Sequence, residues 1–311
     1  MKIGNFIGLL FISLFLMIAC NNKDKKERNT MDSGYIKIAV DQTMEPTIKA
    51  VIDMFETEHD AIIEPIYTSE EDAIDLLLDD TVRLAVTARR LRPDERNIFY
   101  SNKFEPEEVR IALDAIALII HPANPDSIIS VENVRRILTG EVKNWNEIYP
   151  GSRLGKIQVV FDNTNSSIVR YANDSICRDK PLSKELNALS LNEEVVDYVS
   201  KTPNAMGLIG VNLISDSYDS TVVEFTNKIQ VMRVSFDKIA TRQNAVQPYQ
   251  YYMYNGQYPF VREIFFIIND PRGELPKGFT RYVSSDRGQR VILRSGLLPS
   301  TMPVNAVKIT D

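Results

Sequence analysis

Apolar and polar positions alternate in blocks along this chain, and the blocks predict strands and helices in regular succession. Residues 35–40 form a short apolar-rich run that reads as a strand, 41–46 as a turn, and 47–58 as a helix with Ile48, Val51, Ile52 and Phe55 at helical spacing. Pro46 suits the first helical turn, where its missing N–H leaves no bond unmade. A second strand over 62–67 leads into a helix carrying Ala73, Ile74, Leu76, Leu77 and Leu78, and a third strand covers 84–87. Strand, helix, strand, helix, strand in that order predicts an α/β fold whose sheet is mainly parallel and flanked by helices. Residues 115–121 are apolar nearly throughout, the pattern of a strand buried on both faces.

The same alternation continues downstream and predicts a second α/β lobe. Its elements are a helix over 131–138, a strand over 157–161, a loop over 162–167, a helix from Ile168, a helix over 192–201 and a strand over 207–211. A late strand covers 260–268, and 275–294 is mostly helical, stopping near Gly296. Tyr249, Tyr251, Tyr252, Tyr254 and Tyr258 alternate in a way that suits a half-exposed strand more than a ligand-lining cleft.

The first residues follow a different rule. After Lys2, an apolar run over 7–18 is broken only by Ser13 and ends at Ala19 and Cys20, with Asn21, Asn22 and Lys23 behind it. It is shorter than the roughly 20 apolar residues of a spanning helix and has the layout of a cleavable export signal. Met17, Ile18, Ala19 and Cys20 resemble the lipobox of bacterial lipoproteins. That resemblance implies a signal peptide over 1–19, a lipid anchor on Cys20 and a periplasm-facing place in the cell envelope. Residues 20–34, almost wholly polar and without an apolar period, read as a flexible tether.

Composition narrows the chemistry. With Cys20 acylated, only Cys177 remains, so the mature chain has no intramolecular disulfide to form. A net charge of −6 gives no support to nucleic-acid binding, which wants a basic face. The two histidines, His59 and His121, have no partners at metal-ligand spacing, and no glycine-rich nucleotide loop is present. The expectation is a binding protein, not an enzyme, with no metal and no cofactor. The carboxylates at Glu70, Glu71, Asp72, Asp79 and Asp80 read as the solvated face of a leucine-rich helix.

Five stretches carry a more specific signal: residues 114–125, 137–145, 204–211, 258–262, and 285–289 followed by 296–299. In that order they resemble the periplasmic phosphate-binding proteins of ABC importers, within the type II solute-binding superfamily. The resemblance implies a two-lobed fold, with lobe I over 35–115 and 251–311, lobe II over 116–250, and hinge strands joining them. It also implies a monomer that captures phosphate or a similar small oxyanion and delivers it to a membrane permease.

Three places correspond to the family's ligand residues. Thr43, in the first strand-to-helix turn, is either a ligand donor or an ordinary N-cap. Asp41 beside it would repel a dianion unless it accepted a ligand proton. Ala88 and Arg89 stand where the family has Ser-Arg; Arg89 either reaches the cleft, where its planar fork suits phosphate, or pairs with Glu95 or another surface carboxylate. Asn165, Ser166 and Ser167 replace the family's Ser-Gly-Thr, as ligand donors or as a capping cluster, and Phe161 stands where the family has arginine. Arg170 is a candidate for the missing charge. The rewritten loop leaves open a sensory or assembly lipoprotein that keeps the scaffold with altered or lost anion binding, or a site for sulfate, molybdate or an organic phosphate.

Overall fold

The computed structural model describes residues 29–215 and 228–301; the proposed signal peptide and lipid anchor at Cys20 lie outside the described residues. The first half begins with β1 (Ser33–Asp41), a 3-10 turn (Gln42–Met44), α1 (Glu45–Glu58), β2 (Asp60–Thr68), α2 (Glu70–Leu78), β3 (Leu84–Thr87) and α3 (Pro93–Ser101). β4 (Glu107–Ile120) then carries the chain into the second half. There follow β5 (Ile128–Ser130), α4 (Val131–Leu138), β6 (Gln158–Phe161), α5 (Ser167–Tyr171) with a π-helical continuation (Ala172–Cys177), β7 (Asn187–Ala188), α6 (Asn192–Lys201) and β8 (Ala205–Gly210). The chain closes with β9 (Gln230–Val231), β10 (Arg233–Ser235), α7 (Gln250–Tyr254), β11 (Val261–Ile268), α8 (Leu275–Ser284), α9 (Asp286–Arg294) and β12 (Leu298–Pro299).

The main sheet runs β2-β1-β3-β11-β4-β8-β6-β7, with β9 and β12 paired along β4. β1 is parallel to β2 and β3, and β6 is parallel to β7 and β8, so each half has its own parallel core. β4 joins them: residues 107–115 pair antiparallel with β11, and residues 116–120 pair antiparallel with β8. Every residue from 114 to 120 is buried, as its apolar sequence demands, with Asp114 the one charged exception. Ile116 marks the change of partner: its N–H donates to the Phe260 carbonyl at 2.9 Å, and its carbonyl accepts from the Tyr258 hydroxyl at 2.7 Å.

Helix packing follows the predicted faces. α1 buries Ile48, Val51, Ile52 and Phe55, and Phe55 meets Phe279 of α8 edge-on at 5.2 Å. Each such side chain contributes about 1.5–3 kcal/mol of hydrophobic burial.

Four expectations are corrected. β4 starts at Glu107, eight residues before the apolar run, because residues 107–110 include Glu107, Glu108 and Arg110 and are held by pairing with β11. The tyrosine stretch is not a strand: Tyr251, Tyr252 and Tyr254 lie on α7, and Tyr258 is buried. The region 275–294 divides at Ser285, whose extended backbone (ψ 167°) ends α8 and whose hydroxyl caps α9. The tether reading fails from Asn29 onward: the Asn29 side chain exchanges hydrogen bonds with the Tyr35 backbone, and Met31 lies against α8. A Cβ on Gly278 would stand 1.8 Å from the Met31 carbonyl oxygen, so only glycine admits that approach.

Candidate functional site

The turn after β1 and the start of α5 come from opposite halves of the molecule, and their side chains meet in the interior. Asp41 caps the 3-10 turn by accepting from the Thr43 N–H at 3.1 Å. Because Asp41 takes that role, the reading of Thr43 as an N-cap is corrected: its hydroxyl is released to point across the divide. There Thr43 Oγ1 lies 3.2 Å from Ser167 Oγ, both groups fully buried. Asn212, from the 3-10 turn after β8, donates to the Thr43 carbonyl at 2.9 Å and fixes the turn from the second half.

Arg262, near the start of β11, bridges the two hydroxyls. Its Nη2 donates to Thr43 Oγ1 at 3.0 Å and its Nη1 to Ser167 Oγ at 2.6 Å. Asp114, its cross-strand partner on β4, holds the guanidinium from behind, with Oδ2 2.9 Å from Nε and 2.8 Å from Nη2. Burial works against the charge of Arg262, but Asp114 and Asp41 outweigh it and raise the guanidinium's pKa further. Gly210 ends β8 against this group; a Cβ there would lie 2.6 Å from Asn212 Oδ1 and 3.3 Å from Asp114 Oδ2.

The loop before α5 divides its labour. Ser166 is the N-cap, accepting from the Val169 N–H at 3.2 Å, and its hydroxyl donates to Asp162 Oδ1 at 2.5 Å. Burial pushes the Asp162 carboxyl up to about 7, against the pull of Ser166 and with a further push from the charge of Asp41. Asp162 is therefore largely protonated below neutrality. Asn165 stays exposed, with its N–H donating to Asn163 Oδ1 at 2.8 Å. Phe161 is buried in the core.

A second layer lies behind. Glu70 is 1 % exposed, which corrects its assignment to a solvated helix face. Arg170 binds it through Nε and, at 3.3 Å, through Nη2, while the Ala88 N–H donates to Glu70 at 2.7 Å. Arg170 is thus committed to Glu70 and to the Ala88 carbonyl at 2.9 Å. Arg89 forks onto Glu95 with two 2.7 Å bonds and also touches Glu71 at 3.2 Å, with Glu70 3.7 Å away. Of the five sequence candidates, the structure brings Thr43 and Ser167 together and puts Ser166 beside them. Asn165 and Arg89 stand apart from that contact. Arg262 closes the resembling stretch 258–262; its signal in the sequence is that of the one cation in a strand whose other residues, Glu263 apart, are apolar.

What converges here is two hydroxyls, one guanidinium and buried carboxyls. Among the described residues, Asp41 Oδ2 and Asn212 Oδ1 are buried acceptors with no donor. Hydroxyls and guanidinium offer directed hydrogens to an acceptor-rich ligand, and the unfilled acceptors suit a ligand that also carries a hydrogen. No group of three or more His, Cys, Asp or Glu able to hold a metal occurs among the described residues.

Comparison with known proteins gives this arrangement a setting. The model of the PBP superfamily domain matches residues 26–287. The phosphate-binding protein PstS of Pseudomonas aeruginosa is 23 % identical over 238 residues, covering 72 % of this chain and 69 % of that protein. The phosphate-binding protein PstS of Bacillus subtilis is 22 % identical, covering 100 % of this chain and 97 % of that one. Among solved structures, an ABC-type phosphate transport receptor from Vibrio cholerae superposes with a TM-score of 0.65 at 17 % identity, over 86 % of this chain and all of that one.

Proposed function

The chain belongs to the PBP superfamily, and from that premise we propose that it is a membrane-anchored solute-binding protein that captures phosphate or a related oxyanion for an ABC importer. The observation that carries the reading is the meeting of Thr43 and Ser167, one hydroxyl from each half, in a buried site. A ligand held by both hydroxyls ties the halves together, which is how a two-lobed receptor couples capture to shape. The names of the Pseudomonas aeruginosa and Bacillus subtilis relatives support phosphate as the ligand class.

The carboxyls around the site favour an anion that arrives with a proton. Hydrogenphosphate offers its one O–H to Asp41 Oδ2 while its other oxygens accept from Thr43 and Ser167; sulfate has no hydrogen to offer and would leave Asp41 facing a bare anion. Ser166 and Asn165 shape the loop that presents Ser167, and Arg89 lends positive charge from the layer behind Glu70. Cys20 carries the lipid anchor, the short polar segment after it spans to Asn29, and a permease of the ABC type receives the ligand from a monomer.

Calorimetric titration of the full-length chain in detergent with phosphate, sulfate and molybdate tests this. Phosphate is expected to bind and sulfate to bind at least about tenfold more weakly, the scale of one unpaired buried group. Absence of binding to all three removes the capture reading.

A second reading has an observation of its own. Arg262 engages both hydroxyls, and Glu70 pairs with Arg170, so protein groups alone link the two halves. A sensory or assembly lipoprotein that keeps this scaffold and contacts a membrane complex would show that geometry, and it is what remains if no oxyanion binds.

A further inference from the structure

We infer that Arg262 is the specificity-determining cation of the oxyanion site, supplying from β11 the charge that Phe161 does not, and that it positions the hydroxyls of Thr43 and Ser167 for the ligand. The inference rests on the capture reading and deepens it.

Three observations carry it. Phe161 is buried among apolar side chains, and Arg170 and Arg89 direct their guanidinium groups to Glu70 and Glu95, so none of these donates to Thr43 or Ser167. Arg262 does lie there, 3 % exposed, touching both hydroxyls. A guanidinium has five N–H donors and no acceptor. Nε spends one on Asp114, Nη2 one on Thr43 and Nη1 one on Ser167, and Nη2 is also ion-paired with Asp114, so one Nη1 hydrogen has no partner among the described residues. A buried, unspent donor on a charged group beside two hydroxyls is an offer to an anion.

Direction follows from the same inventory. Because a guanidinium only donates, Thr43 and Ser167 can only accept from it, and each hydroxyl hydrogen is turned away from Arg262. The 3.2 Å contact between the hydroxyls uses at most one of these hydrogens, so at least one hydroxyl hydrogen is left to present to a ligand oxygen. Asp114 keeps the guanidinium planar against β4 and prevents it from following the ligand, so geometry as well as charge is fixed in advance. A lysine cannot reproduce the fork: its ammonium is a compact point charge that lacks the planar geometry with which the guanidinium holds Asp114 on one side and both hydroxyls on the other.

The test is a double-mutant cycle on the full chain in detergent, titrated with inorganic phosphate, with thermal unfolding run alongside. Arg262→Lys is expected to weaken phosphate binding by at least about tenfold while the protein remains folded, and Ser167→Ala to weaken the parent by about tenfold. In the Arg262→Lys background, Ser167→Ala is expected to change affinity by less than about threefold, because the hydroxyl has already lost its orientation. A merely structural arginine would lower the melting point and leave the cycle additive. Unchanged affinity in Arg262→Lys, or simple additivity, overturns the inference. If Arg262→Lys does not fold, Arg262→Met combined with Asp114→Leu removes both buried charges together; its loss of phosphate binding supports the inference, and parent-like affinity overturns it. A parent protein that binds no phosphate overturns the capture reading and this inference with it, an outcome distinct from binding that ignores Arg262.

Discussion

Glu70, in the first turn of α2, forms an ion pair with Arg170 of α5, so a carboxylate buried in the first half is neutralised by a guanidinium from the second. The same carboxylate accepts from the Ala88 N–H, which makes it the junction of β3, α2 and α5. Removing one member of a buried pair leaves the other without a partner, and that costs more than the pair itself contributes. Glu70→Gln is expected to lower the unfolding free energy by about 2–4 kcal/mol at pH 7. Urea denaturation measures it, and a loss below about 0.5 kcal/mol would show that the pair is solvated.

Asp162 makes stability depend on pH. Its folded-state pKa of about 7 lies above the ordinary aspartate value, so between roughly pH 4 and pH 7 the folded chain holds a proton that the unfolded chain has released. The stabilisation is complete below the unfolded-state pKa and disappears as pH rises through 7. Asp162→Asn, which keeps an acceptor for Ser166, is expected to flatten that decline; its advantage over the parent grows with pH to on the order of 4 kcal/mol at pH 8. Parallel curves for the two proteins across pH 4–8 would rule this out.

Gly278 marks where the N-terminal segment docks. In Gly278→Ala the new methyl group meets the Met31 carbonyl, so the segment over 29–33 must leave α8 or α8 must shift. The expected result is faster amide exchange at the start of β1 and a stability loss of about 1–3 kcal/mol. Exchange rates that match the parent would show that the segment is not held there.

Cys20→Ser separates the anchor from the fold. The variant is expected to leave the membrane fraction and appear soluble, with phosphate affinity unchanged, since the site lies in the folded residues. Retention in the membrane fraction would locate the attachment elsewhere.

The pattern of apolar residues was sufficient for most elements, because strands buried on both faces and helices with one apolar face leave an unmistakable period. β3, α4 and α6 fall at the predicted residues. The charged start of β4 was illegible for the opposite reason: its partner β11 is about 150 positions away, and a strand defined by distant pairing has no local signature. The site was half legible. Thr43 and Ser167 were visible through the resemblance, whereas the burial of Glu70 and the place of Arg262 depend on which side chains the two halves bring together. Glu70 sits among acidic neighbours that are more exposed, and nothing in its own sequence context tells it from Glu71.

Arg262 and Asp114 face each other on β11 and β4, close to where β4 exchanges β11 for β8. Points near a pivot travel least. If the halves swing apart about β4 and β11, Thr43 and Ser167 are carried outward on opposite arms while the positive charge stays almost stationary. An arriving anion would then meet the same fixed electrostatic centre in the gaping and the shut forms. The number of hydroxyls within reach would be the quantity that changes between them. Affinity in such a device is adjusted by angle, and the charge serves as its axle.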